Sequence, residues 1–211
     1  LAYSIDIAVK SKSFDSILFT SDSESYLRIA KKYKPDYLHK RSKKNSSSLA
    51  TDLDYLKEII IYLKTKFKYK PDAFALLRAD SPTRNLDELK KAVNFFKRNF
   101  RKFSSLRSVY ITSENSYKNF TICDNKLKTI FTNSFDVEKS NTPKQLLKTT
   151  YAANGFLDIV KTCLIEKKNI LHGNKVYAFK NKNFSVDIDY PQDLLYSRYL
   201  IKSKNYHKIK L

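Results

Sequence analysis

The sequence predicts an α/β fold, a mainly parallel sheet with helices on both faces. Three observations carry this. Short apolar runs of strand length alternate with longer amphipathic stretches through the first half of the chain. The run DAFALLR (72–78) is almost continuously apolar, as expected of a strand covered on both sides. At 211 residues, 42% hydrophobic and with Tyr 15 and Phe 14, the chain is long enough to bury about 70% of its unfolded surface.

In chain order, Leu1, Ile5, Ala8 and Val9 recur at helical spacing, so the chain opens in or just before a helix. DSILFTS (15–21) reads as a buried strand, and Ser21 or Asp22 can cap a helix carrying Leu27, Ile29 and Ala30. DYLHK (36–40) is a short strand, RSKKNSSS (41–48) a polar loop, and LATDLDYLKEIIIYLKTKF (49–67) a long helix. After the 72–78 strand, ADSPTRN breaks the run and LDELKKAVNFFKRNF is an amphipathic helix. LRSVYIT (106–112) is a strand. Residues 113–150 are irregular and read as an inserted arm, with two strands in NFTICDNKLKTIF about a turn at Asp124-Asn125. GFLDIV (155–160), KVYAFK (175–180) and FSVDID (184–189) are further strands, and a helix runs from Pro191 to about Lys202.

The formal net charge is +20. Its Lys residues are scattered among Asn, Ser, Ile and Tyr rather than gathered, which argues against a nucleic-acid interface and for a general attraction to anionic ligands. Cys123 and Cys163 stand far apart with no ligand spacing around them, so neither a disulfide framework nor a zinc site is expected, and a cytoplasmic location fits. No apolar run is long enough to predict a membrane span. The chain contains no Met, even at position 1, and only two glycines, Gly155 and Gly173. An N-terminally truncated chain is therefore expected.

Strand ends are where open α/β sheets bind ligands. In SVDID, alternation aims Asp187 and Asp189 to one side, about 6.6 Å apart along a strand, where two carboxylates can share a divalent ion. Asp189 can equally be the N-cap of the helix begun by Pro191, and Asp193 reads as helix-terminus chemistry. RADSPTR (78–84) places Arg78 and Arg84 around a Ser-Pro turn, suited to an anionic substrate or to surface pairing with Asp80 or Asp87. Asn154-Gly155 reads as a tight turn.

Taken in order, SKSFDSILFTSDSESYLRIAKKY, ATDLDYL, FALLRADSPTRNLDELKKAV, KQLLKTTYAANG and SVDIDYPQDLLYSRYL resemble the acylneuraminate cytidylyltransferase family over roughly residues 1–203. The resemblance implies a Rossmann-like nucleotidyltransferase fold, a dimerisation arm at 113–150, and transfer of CMP from CTP to a nonulosonic acid with release of pyrophosphate. It implies Asp187 and Asp189 as the catalytic, magnesium-binding pair (Mg2+), Arg41 and Ala50 against the nucleotide, and Arg78, Arg84, Lys144, Gln145 and Asn154 toward the substrate, in a cytoplasmic homodimer. Departures fall in the sugar-binding positions: Arg78 for the usual Gln, Pro143-Lys144 for a pair of Arg, Thr121 for Lys, and Asp158 and Leu171-His172 for aromatics. A glycine-rich phosphate loop has no counterpart between Leu1 and Leu211, so low turnover of this chain is expected. The alternatives are a related transferase for 3-deoxy-manno-octulosonate, or a catalytically silent basic module.

Overall fold

The computed structural model describes residues 1–182, 185–203, 206 and 208–209. The chain forms two compact units, Leu1–Ser108 with Asn154–Leu211, and Val109–Ala153.

The elements are α1 (Ala2–Ser11), β1 (Leu18–Ser21), α2 (Glu24–Lys31), β2 (Tyr37–Lys40), α3 (Asp52–Phe67), β3 (Ala73–Leu76), α4 (Leu86–Arg98), β4 (Ser105–Ile111), β5 (Phe120–Cys123), β6 (Lys126–Thr129), β7 (Tyr151–Lys161), α5 (Thr162–Lys168), β8 (Val176–Lys180) and α6 (Pro191–Ser203). β1 and β2 pair in parallel, Leu18 opposite Tyr37. A second sheet has the order β3-β7-β4-β8, with β7 antiparallel to β3 and Phe74 opposite Val160. In the smaller unit β5 and β6 form the expected hairpin, with Asp124 and Asn125 both at positive φ in its turn.

Both faces of the larger sheet are covered, and the period of two along β3 shows how. Ala73 and Ala75 pack with Ile7 of α1, Leu89, Ala92, Val93 and Phe96 of α4, and Phe156 and Ile159 of β7. Phe74 and Leu76 face the other way, onto Leu56, Ile59, Ile60 and Leu63 of α3 and Ile165 of α5. Each fully buried Leu, Ile, Val or Phe among them contributes about 1.5–3 kcal/mol relative to exposure.

Helix starts follow local chemistry. Ser23, rather than Ser21 or Asp22, caps α2 by accepting from Tyr26 N–H, while the Ser21 hydroxyl accepts from Ser23 N–H at 3.1 Å. α3 starts at Asp52, later than Leu49, because Thr51 and Asp54 form a reciprocal capping box there. Asn85 caps α4 by accepting from the N–H groups of Asp87 and Glu88, both at 3.0 Å. α5 is an added helix between the predicted strands 155–160 and 175–180, where no element is predicted. Among the described residues no helix is long and apolar enough to cross a membrane.

Candidate active site

Residues 77–85 turn back from the end of β3 into α4, and Arg84 holds the turn together. Pro82 fixes one backbone angle and removes one donor; Ser81, Thr83 and Arg84 are buried. All five N–H donors of Arg84 have acceptors. Nε donates to Phe156 O at 2.7 Å, Nη1 to Ser4 Oγ at 2.9 Å and to Ser81 O, and Nη2 to Arg78 O at 3.0 Å and Gly155 O at 2.8 Å. Burial lowers its pKa to about 10, with Asp187 and Asp80 opposing. The sequence places Arg84 toward the substrate or paired on the surface; the structure instead turns it inward, because four backbone carbonyls converge there.

The same turn positions Asp187. Thr83 Oγ1 accepts from Val186 N–H at 2.8 Å, Asp80 O accepts from Ile188 N–H at 3.1 Å, and the Ser81 hydroxyl donates to Asp187 Oδ1. The predicted strand 184–189 begins outside the described residues at position 184; residues 185–189 are irregular, pinned to the turn instead of to a neighbouring strand. Gly155 faces them. It lies inside β7 at φ 61, not in a hairpin turn, and a Cβ there would overlap the Asp187 carboxylate and stand 2.6 Å from Ser81 Oγ. Close approach of the carboxylate is what requires glycine.

Asp189 is exposed two residues further on. Its N–H and that of Tyr190 donate to Asp193 Oδ2, at 3.1 and 2.8 Å, so Asp193 performs the capping at α6 and the Asp189 carboxylate is not spent on the helix start. Among the described residues no group of three or more His, Cys, Asp or Glu side chains is arranged to hold a metal. Asp187 and Asp189 nevertheless offer hard oxygen donors of the number magnesium takes when water and phosphate complete its shell.

Arg41 and Ala50 line a cavity of about 990 Å³ together with Asp52, Tyr55, Arg78 and Asp80. The Arg41 guanidinium lies 4.6 Å from the Tyr55 ring centroid and donates through Nη2 to Thr20 O at 3.3 Å; its Nε is buried without a partner. Burial, reinforced by Asp52, pushes the Tyr55 hydroxyl far above its ordinary value. Arg78 grips Asp52 at 2.5 and 3.5 Å; burial works against its charge, but Asp52 outweighs it and the pKa is raised. On β7, burial raises the Asp158 pKa, opposed by Arg107 at 3.5 Å and by His172.

Other predicted site residues lie differently. Asn154 is buried, donating to Asn181 Oδ1 at 2.9 Å and accepting from Phe156 N–H at 3.3 Å, so its amide shapes β7. Lys144 and Gln145 belong to the second unit, exposed on a short 3-10 turn where Lys144 donates to Ser113 O at 2.7 Å. Asp52, Tyr55 and Asp80 are brought to the cavity without a signal in their spacing; Ser81 and Gly155 were visible as turn residues only.

No family model matches the chain. It is 27% identical over 213 residues to an N-acylneuraminate cytidylyltransferase of Escherichia coli, all of this chain and 48% of that protein. It is 26% identical over 205 residues to a pseudaminic acid cytidylyltransferase of Campylobacter jejuni, covering 96% of this chain and 84% of the relative. The chain is thus similar over nearly its whole length to acylneuraminate-type cytidylyltransferases. The fold agrees: the solved structure of a CMP:2-keto-3-deoxy-manno-octonic acid synthetase complexed with CTP superposes with TM-score 0.62 at 10% identity, over 94% of this chain and 87% of that one. The Rossmann-like α/β class of this chain therefore stands. Its Asp187, Arg41 and Arg78 sit at carboxyl ends of strands or in the segment bonded to them, as that class of fold leads one to expect.

Proposed function

We propose that the chain is a cytidylyltransferase that joins CMP from CTP to a nonulosonic acid. A hydroxyl of the sugar attacks the α-phosphorus of CTP, the bond to the β-phosphate oxygen breaks, and pyrophosphate leaves with that electron pair. The observation that carries the reading is the placement of Asp187, locked between Ser81 and Gly155 in a segment bonded to Asp80, which lines the cavity with Arg41 and Ala50, in a chain aligned over its whole length with part of a cytidylyltransferase. Asp187 and Asp189 are the residues that would hold magnesium, which when bound neutralises phosphate charge. The partnerless Nε of Arg41 is a donor suited to the nucleotide, and the small Ala50 lines the same cavity. Arg78, steered by Asp52, offers positive charge to an acid sugar while keeping its geometry. A CTP-consuming reaction fits a cytoplasmic location.

The test is CTP-dependent pyrophosphate release over a panel of acid sugars, N-acetylneuraminate and 3-deoxy-manno-octulosonate included. Release with a nonulosonic acid, lost about 100-fold or more in Asp187→Asn, is expected; release only with 3-deoxy-manno-octulosonate, or with another nucleotide in place of CTP, would refute the assignment. We further propose that Val109–Ala153 pairs two copies. Exposed Ile122, Ile130, Phe131 and Phe135 in this unit support it, and light scattering that finds a monomer in both wild type and Phe131→Ser would contradict it.

A further inference from the structure

Residues 41–50 connect β2 to the start of α3, and the stretch is almost wholly polar. Ser42, Lys43, Lys44, Ser47 and Ser48 are exposed, so burial does little to offset the backbone freedom lost in ordering them. Yet Arg41, Asn45, Ser46, Ser47 and Ala50 all line the 990 Å³ cavity. A wall of the site is thus built from a segment with little intrinsic reason to hold one shape.

One carboxylate gathers it. Glu58 of α3 accepts through Oε1 from Ser42 N–H at 2.8 Å, and through Oε2 from the Ser42 hydroxyl at 2.6 Å and from Asn45 Nδ2. Inside the loop Asn45 N–H donates back to Ser42 Oγ at 3.4 Å and Ser46 Oγ to Ser42 O at 2.8 Å, closing a 3-10 turn, Lys44–Ser46, on the same residue. Ala50 N–H donates to Ser47 O at 3.0 Å and leads into the Thr51 cap of α3. On the strand side, Glu58 Oε1 lies 3.4 Å from His39 Nε2, and His39 Nδ1 is bonded to Thr20 Oγ1 at 2.9 Å. The backbone oxygen of that same Thr20 accepts from Arg41 Nη2. Glu58 therefore holds the chain on both sides of Arg41, at His39 and at Ser42. Burial opposes its charge, but the Ser42 and Asn45 bonds outweigh it and the pKa is lowered.

We propose that Glu58 is a positioning residue for the nucleotide: it clasps the 41–50 loop into the shape that presents Arg41 and Ala50 to the cavity, without lining the cavity itself. The proposal rests on the CTP reading given above. Charge alone predicts the opposite effect on binding. A carboxylate near a polyanion repels it, so losing that charge would tighten CTP. A clasp predicts weaker binding, because a loop that is closed only part of the time lowers the apparent affinity by that fraction. The sign of the change separates the two. Glu58→Ala removes both clasp and charge. Glu58→Gln removes the charge but keeps an oxygen for Ser42 N–H and, with the Asn45 amide turned over, an N–H for Asn45 Oδ1.

The experiment titrates CTP into wild type, Glu58→Ala and Glu58→Gln by calorimetry, measures turnover on the same samples, and follows hydrogen exchange at the Ser42 and Asn45 amides of the ligand-free proteins, with Ile60 inside α3 as the reference. Glu58→Ala is expected to speed exchange at Ser42 and Asn45 while Ile60 stays protected, and to raise the Kd and KM for CTP about tenfold or more. Its kcat at saturating CTP is expected to stay within about threefold of wild type, a split that general loss of structure does not produce. Glu58→Gln is expected to bring Kd back to within about threefold of wild type. Equal or tighter CTP binding by Glu58→Ala overturns the proposal, as does unchanged exchange at Ser42 and Asn45, or a fall in kcat with KM unmoved. If Glu58→Ala also loses protection at Ile60, Ser42→Ala decides, since it removes the hydroxyl between Oε2 and Asn45 N–H and leaves α3 intact; CTP bound about threefold more weakly supports the clasp, and unchanged affinity overturns it. Wild type that binds no CTP refutes the cytidylyltransferase reading and this proposal with it, whereas wild type and Glu58→Ala that bind CTP alike refute the proposal alone.

Discussion

Gly155 decides where the Asp187 carboxylate sits. Its φ of 61 disfavours any side chain, and a Cβ would occupy the space of that carboxylate. Gly155→Ala is therefore expected to lower stability by roughly 1–3 kcal/mol and to depress pyrophosphate release well beyond that, because Asp187 must leave Ser81. Melting curves and turnover measured on the same samples separate the two effects. Arg84 is the complementary case. Arg84→Met leaves four carbonyls and the Ser4 hydroxyl without their buried donor, a loss on the order of 3–5 kcal/mol. Arg84→Lys recovers a minority of it, since one ammonium cannot reach a fork of five acceptors; full recovery by Lys in urea titration would show that charge alone suffices. The importance of Arg84 was legible in the sequence but its direction was not. Nothing in RADSPTR reports that two carbonyls of β7 and two of its own turn meet at one point.

At the scale of elements, the parts with strong local codes were readable. α3 and α4 announce themselves through apolar periodicity and through Thr51 and Asn85 at their starts. α5 has only seven residues and follows β7 with no breaker, so no local signal marks its start. The 185–189 segment alternates like a strand, yet its partners are a hydroxyl and a carbonyl of the 80–83 turn. Alternation aims side chains; it does not supply a neighbouring strand. Asp193 shows how such a reading divides. Asp193→Ala removes the acceptor for two N–H groups at the start of α6 and is expected to cost about 1 kcal/mol, with turnover retained, whereas Asp187→Asn is expected to lower turnover about 100-fold or more at little cost in stability. A urea midpoint and a rate for each variant check the division; loss of activity in both would return Asp193 to the site.

For the whole molecule, charge and acid act together. A chain at +20 repels itself, and lowering the pH adds positive charge as carboxylates and histidines protonate. His39 adds a second term of the same sign. It is buried, bonded through Nδ1 to Thr20 Oγ1 at 2.9 Å with Glu58 3.4 Å from Nε2. Burial lowers its pKa, and the opposing pull of Glu58 does not restore it. A folded-state pKa below the unfolded value of about 6.5 gives stability that is full above that pH and lost as pH falls through the folded value. The melting temperature is thus expected to drop between pH 7.5 and 5.5. Salt separates the two causes, because exposed charges are screened over about 8 Å at physiological ionic strength while a buried imidazole is not. Raising NaCl from about 20 to 200 mM is expected to recover part of the loss, and His39→Gln to shrink the part that salt leaves. If salt recovers all of it, repulsion alone governs acid stability and His39 is silent; if His39→Gln leaves the salt-resistant part unchanged, another buried group carries it.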